Sequence, residues 1–479
     1  MIAAGIDQGT TGSKAALLDA NGRITLLPGL RHRTDYPASG RVEQDPRELL
    51  ANVQQLADAA GAAGARSLGL ANQGETIVAW DRRSGEPIGP AIVWQDQRTS
   101  AAVDKLRTQG YEAAARRISG LPLDAYFSAS KLAWVLDNIE DARPLAARGR
   151  LGLGTSDAYF AERLTGRYVT EPTTAGRTGL MNIRSCRWDA GLCELFGVPI
   201  ELLPDIVDGT DPIGEITTPT GPLQFTLSLV DQVAALYGHG CRRPGDAKFT
   251  FGTGAFGLAI TGIGAPVANA GGAITAACWQ DGTDRVYADD GGVYSAGAAI
   301  EWLGRIGLLS DLAELDHLSG ASAASRGLFF VPALSGLACP HWDRTAAGLW
   351  IGLDAGTERT DLQKAVLEGV AFRTAEVLDV LALPNQQTGA LSIDGGLARS
   401  GYFVGMLASI TGRTISVLDA VELTAVGTAE MALARALGEP LGRASRPVLK
   451  RRRVAPQHDA AAFRARFADA RQRATGWRQ

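Results

Sequence analysis

The sequence predicts an α/β protein with two domains and a cleft between them. Short β-like runs alternate with longer helical patterns along the whole chain, which is typical of α/β folds. The 479 residues exceed the size of a typical single core. A strand–glycine turn–strand pattern occurs at residues 4–12 and again at 248–257, about halfway along the chain. This recurrence suggests two similar domains that each begin with a β-hairpin, although the identity is too weak to establish a duplication.

The first elements follow from local patterns. The run IAAGID predicts a strand, and KAALLDANGR predicts a second strand with a hairpin turn. Apolar residues recur at helical spacing over residues 45–64, with Asp45 as N-cap and Pro46 at the first helical position, so a helix is expected there. SLGLANQ predicts the next strand. A third strand–glycine turn, at residues 391–401, leads into a helical pattern.

The composition of local segments predicts the domain boundaries. A turn-rich segment near residues 233–245 separates an N-terminal domain, 1–235, from a C-terminal domain, 236–440. Residues 441–479 form a basic tail, which from 443 onward holds eleven Arg or Lys against two Asp. Its KRRR run could bind nucleic acid, but the pattern DAAAFRARFADARQRA favours a solvated helix.

Bulk properties narrow the function classes. The composition, 46% hydrophobic and 20% charged, supports large cores and argues against disorder. A net charge of −4 gives no overall attraction to nucleic acid or acidic lipid. The five cysteines are scattered and never form CxxC, so we expect a cytoplasmic protein without a zinc or disulfide framework. We find no signal-like segment and no membrane-spanning apolar run, and we expect no nucleic-acid or membrane partner.

The glycine turns are candidate phosphate-binding sites, because successive backbone N–H groups can bind anions. The middle turn holds Gly252, Gly254 and Gly257 in GxGxxG spacing. The β-like run LAITG follows it where a dinucleotide fingerprint requires a helix, so a dehydrogenase is rejected. The sequence also lacks a P-loop, an HExxH motif and a GxSxG motif.

A series of ordered blocks between residue 4 and about 438 carries a family resemblance. They are DQGTTGSKA, YPASGRVEQDPRELL, NQGETIVAWDRRSGEPIGPAIVWQDQRT, YFSASKLAWVLDN, VDQVAALYGHGC, FGTGAF, YSAGAAIEWL, GLWIGLDAGTERTDLQKAVLE and SIDGGLARS. In these blocks the chain resembles the FGGY carbohydrate kinases, and among them most closely the glycerol kinases. The resemblance implies a two-domain actin-like ATPase (ribonuclease H-like) fold, ATP and Mg²⁺, and a small polyol or ketose as phosphoryl acceptor. We also expect a homodimer or another homo-oligomer.

The resemblance assigns roles to the glycine turns. Asp7 would bind Mg²⁺ directly or through water, and Lys14, where glycerol kinases usually have Arg, would neutralise charge on the γ-phosphate. Thr10 and Thr11 would hold that phosphate. The other implied nucleotide-binding residues are Thr253, Gly254, Gly297, Gly396 and Ser400.

The resemblance also implies an acceptor site. Asp231 would be the general base, although an Asp before a helix is otherwise an ordinary N-cap. The implied substrate-binding residues are Glu75, Trp94, Tyr126, Asp231 and Gln232. Taken alone, the two aromatic residues could be core side chains and Glu75 a surface charge.

Besides Lys14, two positions near the acceptor residues depart from the glycerol kinase pattern. NQRET in those enzymes is NQGET here, which puts Gly74 in place of Arg, and GDQ is VDQ, which introduces Val230. Losing the Arg is expected to open space and to leave Glu75 without a charged neighbour, unless Gln97 or Arg98 covers the gap. The hypothesis is that glycerol is a poor substrate and that the true acceptor has four or five carbons.

Alternatives stay open. A glycerol kinase proper with an altered pocket is one, and a non-metabolic actin-like ATPase is another, because fold alone does not fix function. The acceptor residues argue against the second alternative, since a filament protein or chaperone has no use for them. Phosphoryl hydrolysis would require water to react at the acceptor position.

Overall fold

A computed structural model describes residues 1–209, 211–267, 271–281, 283–381, 391–419, 422–443, 447 and 449–478. None of the helices in these ranges is long and apolar enough to cross a membrane. Two mixed β-sheets dominate the architecture, one in the first half of the chain and one in the second.

The first half contains the following elements: β1 (Ile2–Gln8), β2 (Gly12–Asp19), β3 (Ile24–Arg31), β4 (Glu43–Gln44), α1 (Pro46–Ala62), β5 (Ser67–Asn72), β6 (Ile77–Asp81), β7 (Ala91–Ile92), α2 (Ser100–Thr108), α3 (Glu112–Ser119), α4 (Ser128–Asn138), α5 (Ala142–Ala147), β8 (Leu151–Thr155), α6 (Ser156–Thr165), β9 (Val169–Thr170), α7 (Pro172–Ala175), β10 (Met181–Asn182), β11 (Arg187–Trp188), α8 (Ala190–Phe196), β12 (Asp205–Ile206), β13 (Gly214–Thr218), β14 (Gly221–Val230) and α9 (Asp231–Gly238).

The second half contains β15 (Ala247–Phe251), β16 (Ala255–Ile263), β17 (Ile274–Asp281), β18 (Asp284–Val293), α10 (Gly297–Arg305), β19 (Phe329–Val331), β20 (Leu349–Ile351), α11 (Arg359–Val380), β21 (Leu391–Gly395), α12 (Gly401–Thr411), β22 (Ile415–Leu418), α13 (Leu423–Ala436), β23 (Arg451–Val454) and α14 (Ala461–Ala474). Short 3₁₀ helices lie at Ile200–Leu202, Leu312–Asp316, Ala324–Arg326 and Gly396–Arg399.

The two large sheets share one topology. The first has the strand order β13-β14-β5-β1-β2-β3, and the second has β17-β18-β16-β15-β21-β22-β23. In each sheet a hairpin, β1–β2 or β15–β16, adjoins two parallel strands, β5 and β14 or β21 and β22. The two glycine hairpins predicted a repeat, and the structure shows that the repeat extends to the sheets that contain them. The turn after β21 matches the turn after β5.

The elements predicted from local patterns are present. The side chain of Asp45 accepts a hydrogen bond from the backbone of Arg47, and Pro46 begins α1, so the cap signal works as expected. All residues of β5 are buried, as is typical of a strand covered on both faces. The predicted domain division at residue 235 lies inside α9, which continues to Gly238, so the exact boundary stays a prediction.

Helices α9 and α13 form the layer between the two sheets. They pack against each other, and α13 also packs on β1, β2 and β5. Their contact needs glycine on both helices. A Cβ on Gly238 would lie 2.2 Å from the Leu423 carbonyl oxygen, and one on Gly427 would lie 2.3 Å from that of Ala234. This close approach holds the C-terminal half of α9 against α13.

The basic tail belongs to the second half of the fold; residues 444–446, 448 and 479 of it lie outside the described residues. Strand β23 pairs with β22, so the KRRR segment extends the second sheet. Helix α14 confirms the predicted helix but is not simply solvated, because Phe467, Ala470 and Ala474 are buried in the core of this half. The period of apolar residues along α14 could have revealed this buried face.

Candidate active site

The first glycine turn joins β1 to β2 and is fixed through one carbonyl. The Thr10 carbonyl oxygen accepts hydrogen bonds from Gln44 Nε2 at 2.8 Å and His32 Nε2 at 2.9 Å. The Thr10 side-chain oxygen accepts one from Trp94 Nε1 at 3.0 Å. The neighbouring Thr11 is exposed. A turn held in this way offers its remaining polar groups to the cleft.

Carboxylates surround the end of this hairpin. Asp7 is paired across the hairpin with Lys14. Burial, reinforced by the charge of Asp231 and opposed by that of Lys14, raises the pKa of Asp7 to about 8. Lys14 Nζ lies 2.8 Å from Glu422 Oε2, and its side chain is half exposed. The local excess of negative charge favours binding of a cation.

Asp7 fits a magnesium site of the kind found with nucleotides. Within the described ranges, no three His, Cys, Asp or Glu side chains converge into a metal cage. Mg²⁺ commonly takes one or two carboxylates and completes its shell with phosphate oxygens and water. A single carboxylate with a raised pKa at the phosphate turn is consistent with that arrangement.

The second and third glycine turns meet at the second sheet. Thr253, in the β15–β16 turn, accepts hydrogen bonds through its carbonyl from the backbone of Ala296 and Ala298, and Gly252 accepts one from Gly297. A Cβ on Gly297 would lie 2.4 Å from the Gly252 carbonyl oxygen. The start of α10 thus packs directly on the turn, and the predicted residues Thr253, Gly254 and Gly297 come together.

The third turn carries the predicted residues Gly396 and Ser400, which differ in exposure. Gly396 is exposed and has open space beside its Cα. The Ser400 hydroxyl is buried, accepts a hydrogen bond from the Phe403 backbone and donates one to the Leu315 carbonyl. That hydroxyl caps α12, and a contact between Ser400 and nucleotide stays a prediction.

The acceptor residues converge around Arg177, which the sequence reasoning missed. Its Nε donates to Glu75 Oε1 at 2.5 Å, and its Nη1 donates to Asp290 Oδ2 at 2.8 Å. Its Nη2 lies 3.5 Å from the Tyr126 hydroxyl, and Tyr126 contacts Trp94 edge to face. Arg177 thereby joins Glu75 of the first half to Asp290 on β18 of the second.

Glu75 is a buried group and not a surface charge. It is 4% exposed, and its backbone is in the left-handed region with φ of 62°. Ser128 donates a hydrogen bond to its carbonyl at 3.0 Å, which helps to hold this conformation. Burial raises the pKa of Glu75, while the Arg177 charge opposes that rise. A non-glycine residue at positive φ in a pocket is a mark of a functional constraint.

The structure corrects the expectation about Gly74. A Cβ on Gly74 would lie 3.4 and 3.5 Å from the two Val230 methyl groups and 3.7 Å from Arg177 Cγ. The space left by the missing side chain is therefore lined closely by Val230 and Arg177, and Glu75 does have a charged neighbour. Arg98 does not fill this role, because it pairs with Asp96 and Glu43.

Asp231 begins α9 and is partly exposed to the cleft. Its Oδ1 accepts a hydrogen bond from the Gln232 backbone at 2.6 Å. Burial, followed by the charge of Glu75, raises the Asp231 pKa to about 6, and Lys248 opposes this rise. A carboxylate with a pKa near neutrality can accept a proton and release it again.

Two family models match the chain. One, the FGGY family of carbohydrate kinases N-terminal domain, matches residues 2–236, and the corresponding C-terminal domain matches residues 247–436. A glycerol kinase of Haloferax volcanii is 37% identical over 446 residues, which cover 88% of this chain and 88% of that protein. A glycerol kinase of Rhodospirillum centenum is 38% identical over 442 residues, 89% of this chain and 88% of that protein.

Solved structures agree with the fold. The crystal structure of Plasmodium falciparum glycerol kinase with ADP superimposes with a TM-score of 0.87 at 26% identity. The match covers 99% of this chain and 98% of that one. The predicted two-domain fold is therefore confirmed.

Proposed function

The chain belongs to the FGGY family of carbohydrate kinases, and on this basis we propose which of its site residues perform each part of phosphoryl transfer. It is an ATP-dependent kinase that phosphorylates an alcohol group of a small sugar or polyol. Phosphoryl transfer needs an oriented acceptor hydroxyl, a base for its proton and charge neutralisation around the phosphates. The described residues supply a candidate for each.

One observation supports the acceptor site above all others. Asp231, the base candidate, interacts electrostatically with both Glu75 and Arg177 of the acceptor group and with Asp7 of the phosphate turn. Charges of both sets of groups that must meet in the reaction thus act on Asp231. We assign Glu75, Tyr126, Trp94 and Gln232 to acceptor binding. The aromatic faces cover the carbon chain, and the polar groups bind its hydroxyls.

The chemical step follows from this placement. The acceptor hydroxyl donates a hydrogen bond to Asp231 Oδ2, whose partner Oδ1 is held by the Gln232 backbone. As the hydroxyl oxygen forms its bond to the γ-phosphorus, its proton passes to Asp231 and the bond to the ADP oxygen breaks. The products are ADP and a phosphate monoester, and Asp231 later returns the proton to water.

The phosphate groups are assigned to the turns. Thr10, Thr11 and Lys14 would contact the γ-phosphate from the first half, and Thr253, Gly254, Gly297 and Gly396 would contact the nucleotide from the second. Asp7 would hold Mg²⁺, which when bound neutralises phosphate charge. The raised pKa of Asp7 and the close packing of α10 on the second turn support these assignments.

Three further properties are proposed from indirect evidence. The five cysteines are free and buried, which fits a reducing cytoplasm. A homodimer or another homo-oligomer remains our proposal from the sequence. The acceptor is a small polyol or ketose, and an acceptor of four or five carbons stays the hypothesis drawn from Gly74.

A coupled assay for ADP tests the function. The purified full chain is supplied with ATP and Mg²⁺ and with glycerol, erythritol, ribitol, xylulose or erythrulose in turn. We expect ADP release that depends on one or more acceptors, together with a phosphorylated product detected by mass spectrometry. ADP release at the same rate without any acceptor would instead support a non-metabolic ATPase.

A further inference from the structure

Lys248 is a buried cation to which the reaction described above gives no role. It lies on β15, and none of its surface is exposed. Its Nζ donates to Gln232 Oε1 at 2.6 Å and to Thr250 Oγ1 at 3.3 Å. Both partners are neutral, and the carboxylates of Asp394, Asp231 and Asp290 act on it at longer range. Burying an ammonium group against neutral partners is costly, which suggests that the contact serves a purpose.

The fold explains how Lys248 reaches Gln232. Strand β15 alternates, so Lys248 and Thr250 point to one face while Phe249 and Phe251 enter the core on the other. Helix α9 lies over the polar face, because its C-terminal neighbour His239 also bonds to that face through Ser392 at 2.8 Å. The Lys248–Gln232 bond therefore connects the sheet of the second half to the helix that carries the base candidate.

The hydrogen bond from Lys248 determines which end of the Gln232 carboxamide faces the lysine. A lysine ammonium group only donates hydrogen bonds, so the carboxamide oxygen must face it and the NH₂ group must point elsewhere. In the described part of the chain, Gln232 Nε2 has no hydrogen-bond partner, and Gln232 is partly exposed to the cleft. Beside it, Asp231 can only accept hydrogen bonds when ionised. The two neighbours thus offer one donor group and one acceptor group.

We propose that Lys248 is a positioning residue that orients the Gln232 amide so that its N–H groups bind an oxygen of the phosphoryl acceptor while Asp231 takes the proton. The inference rests on the proposed function. It requires that an oxygen able to accept a hydrogen bond, either the reacting hydroxyl itself or a hydroxyl or carbonyl on the adjacent carbon, faces Gln232. A 1,2-diol or an α-hydroxyketone meets this requirement.

A double-mutant cycle tests the proposal. The variants are Lys248→Met, Gln232→Ala and the double variant, assayed with whichever of glycerol, erythritol, ribitol, xylulose and erythrulose gives the highest kcat/KM. Each single variant should raise the acceptor KM about tenfold, as expected for one lost hydrogen bond in a desolvated site. The double variant should be no worse than Gln232→Ala, and the ATP KM should stay within about twofold. Thr250→Val is the matched control, since it removes the other Lys248 partner and should leave the acceptor KM unchanged.

The opposing outcomes are distinct. Additive effects of the two substitutions, or a Lys248→Met variant in which the ATP KM rises and the acceptor KM does not, would overturn the proposal. An unchanged acceptor KM in Gln232→Ala would overturn both this inference and the assignment of Gln232. Absence of acceptor-dependent ADP release in the wild-type protein would instead overturn the proposed function itself.

A second variant keeps the test valid if Lys248→Met does not fold, as judged by circular dichroism. Gln232→Glu keeps an oxygen facing Lys248 but has no N–H donor. We expect it to raise the acceptor KM as much as Gln232→Ala while its Tm is unchanged or higher. A wild-type acceptor KM in Gln232→Glu would show that no donor is needed at this position and would overturn the inference.

Discussion

The indole nitrogen of Trp94 donates a hydrogen bond to the side-chain oxygen of Thr10, with 3.0 Å between Nε1 and Oγ1. Trp94 also meets Tyr126 edge to face, with ring centroids 5.6 Å apart. One side chain therefore connects the aromatic part of the acceptor site to the first phosphate turn. In the proposed function, this contact links acceptor binding to phosphate positioning.

Trp94→Phe should lower kcat more than it raises the acceptor KM. Phenylalanine keeps an aromatic face for Tyr126 but removes the donor to Thr10. A neutral hydrogen bond contributes about 0.5–1.5 kcal/mol, so a roughly two- to twelvefold fall in kcat is expected. An unchanged kcat in Trp94→Phe, or a rise in the acceptor KM larger than the fall in kcat, would contradict the link.

Asp231→Asn should bind ATP and acceptor but lose turnover. Asparagine cannot take the hydroxyl proton, and a general base contributes about 10²- to 10⁴-fold to the rate. In the wild type, kcat/KM should rise with pH through about 6, because the raised pKa of Asp231 leaves the carboxyl protonated and inactive below that value. A near-wild-type kcat in Asp231→Asn, or a flat pH profile between 5 and 7, would contradict the assignment of Asp231 as the general base.

Lys14→Ala should reduce kcat by about a hundredfold while the acceptor KM changes little, since a cation near the transferring phosphoryl acts mainly on the transition state. Lys14→Arg keeps the charge and should be tolerated. The half-exposed pair with Glu422 contributes little to stability, so the Tm of Lys14→Ala should stay close to that of the wild type. If kcat and KM are unchanged in the alanine variant, Lys14 is only a surface residue and has no role in the reaction.

Sequence patterns were sufficient for the local elements, the roles of the site residues stay predictions, and the contacts that the sequence did not show have physical causes. The α1 cap, the glycine hairpins and the helix after β21 each depend on neighbouring residues, so the sequence shows them directly. Arg177 and Lys248 act through residues more than 15 positions away, and neither lies in a motif with fixed spacing. The apolar period of α14 and the position of Ser400 before α12 are local signals. The core that α14 packs against and the hydrogen bond from Ser400 to the Leu315 carbonyl depend on tertiary packing.

Fructose bisphosphate should not inhibit the enzyme at physiological concentrations. In the glycerol kinase pattern that this chain resembles, the bacterial enzymes that fructose bisphosphate inhibits carry a glycine-rich loop with an Arg just before the base. Here residues 218–232 lack any basic residue and form the tight β13–β14 turn and the strand that follows. A bisphosphate would lack the charged donors that such ligands need. Initial rates with and without the compound test this expectation, and clear inhibition would require an anion site elsewhere.

The acceptor preference depends on the contact between Gly74 and Val230. The Val230 methyl groups lie 3.4 and 3.5 Å from the position of a Cβ on Gly74, and Arg177 Cγ lies 3.7 Å from it. A large side chain at position 74 would have to displace them. The Arg177 donors are already directed to Glu75, Asp290 and Tyr126, so this wall offers methyl groups where the glycerol kinase pattern has an Arg.

Gly74→Arg alone should therefore weaken acceptor binding, because its side chain would extend into the space that Val230 and Arg177 border. The double variant Gly74→Arg/Val230→Gly removes the obstructing methyl groups and adds donors for a terminal hydroxyl. Its kcat/KM for glycerol should rise about tenfold above the wild type, since one or two added hydrogen bonds are worth roughly 1–2 kcal/mol. Val230→Gly alone is the control for the extra space.

Measurements with erythritol, ribitol, xylulose and erythrulose show whether the wild-type site prefers a longer acceptor, as hypothesised from Gly74. If wild-type kcat/KM is already tenfold higher for glycerol than for all four, and the double variant gains nothing, the missing Arg does not control the acceptor, and the enzyme is a glycerol kinase whose pocket uses other donors.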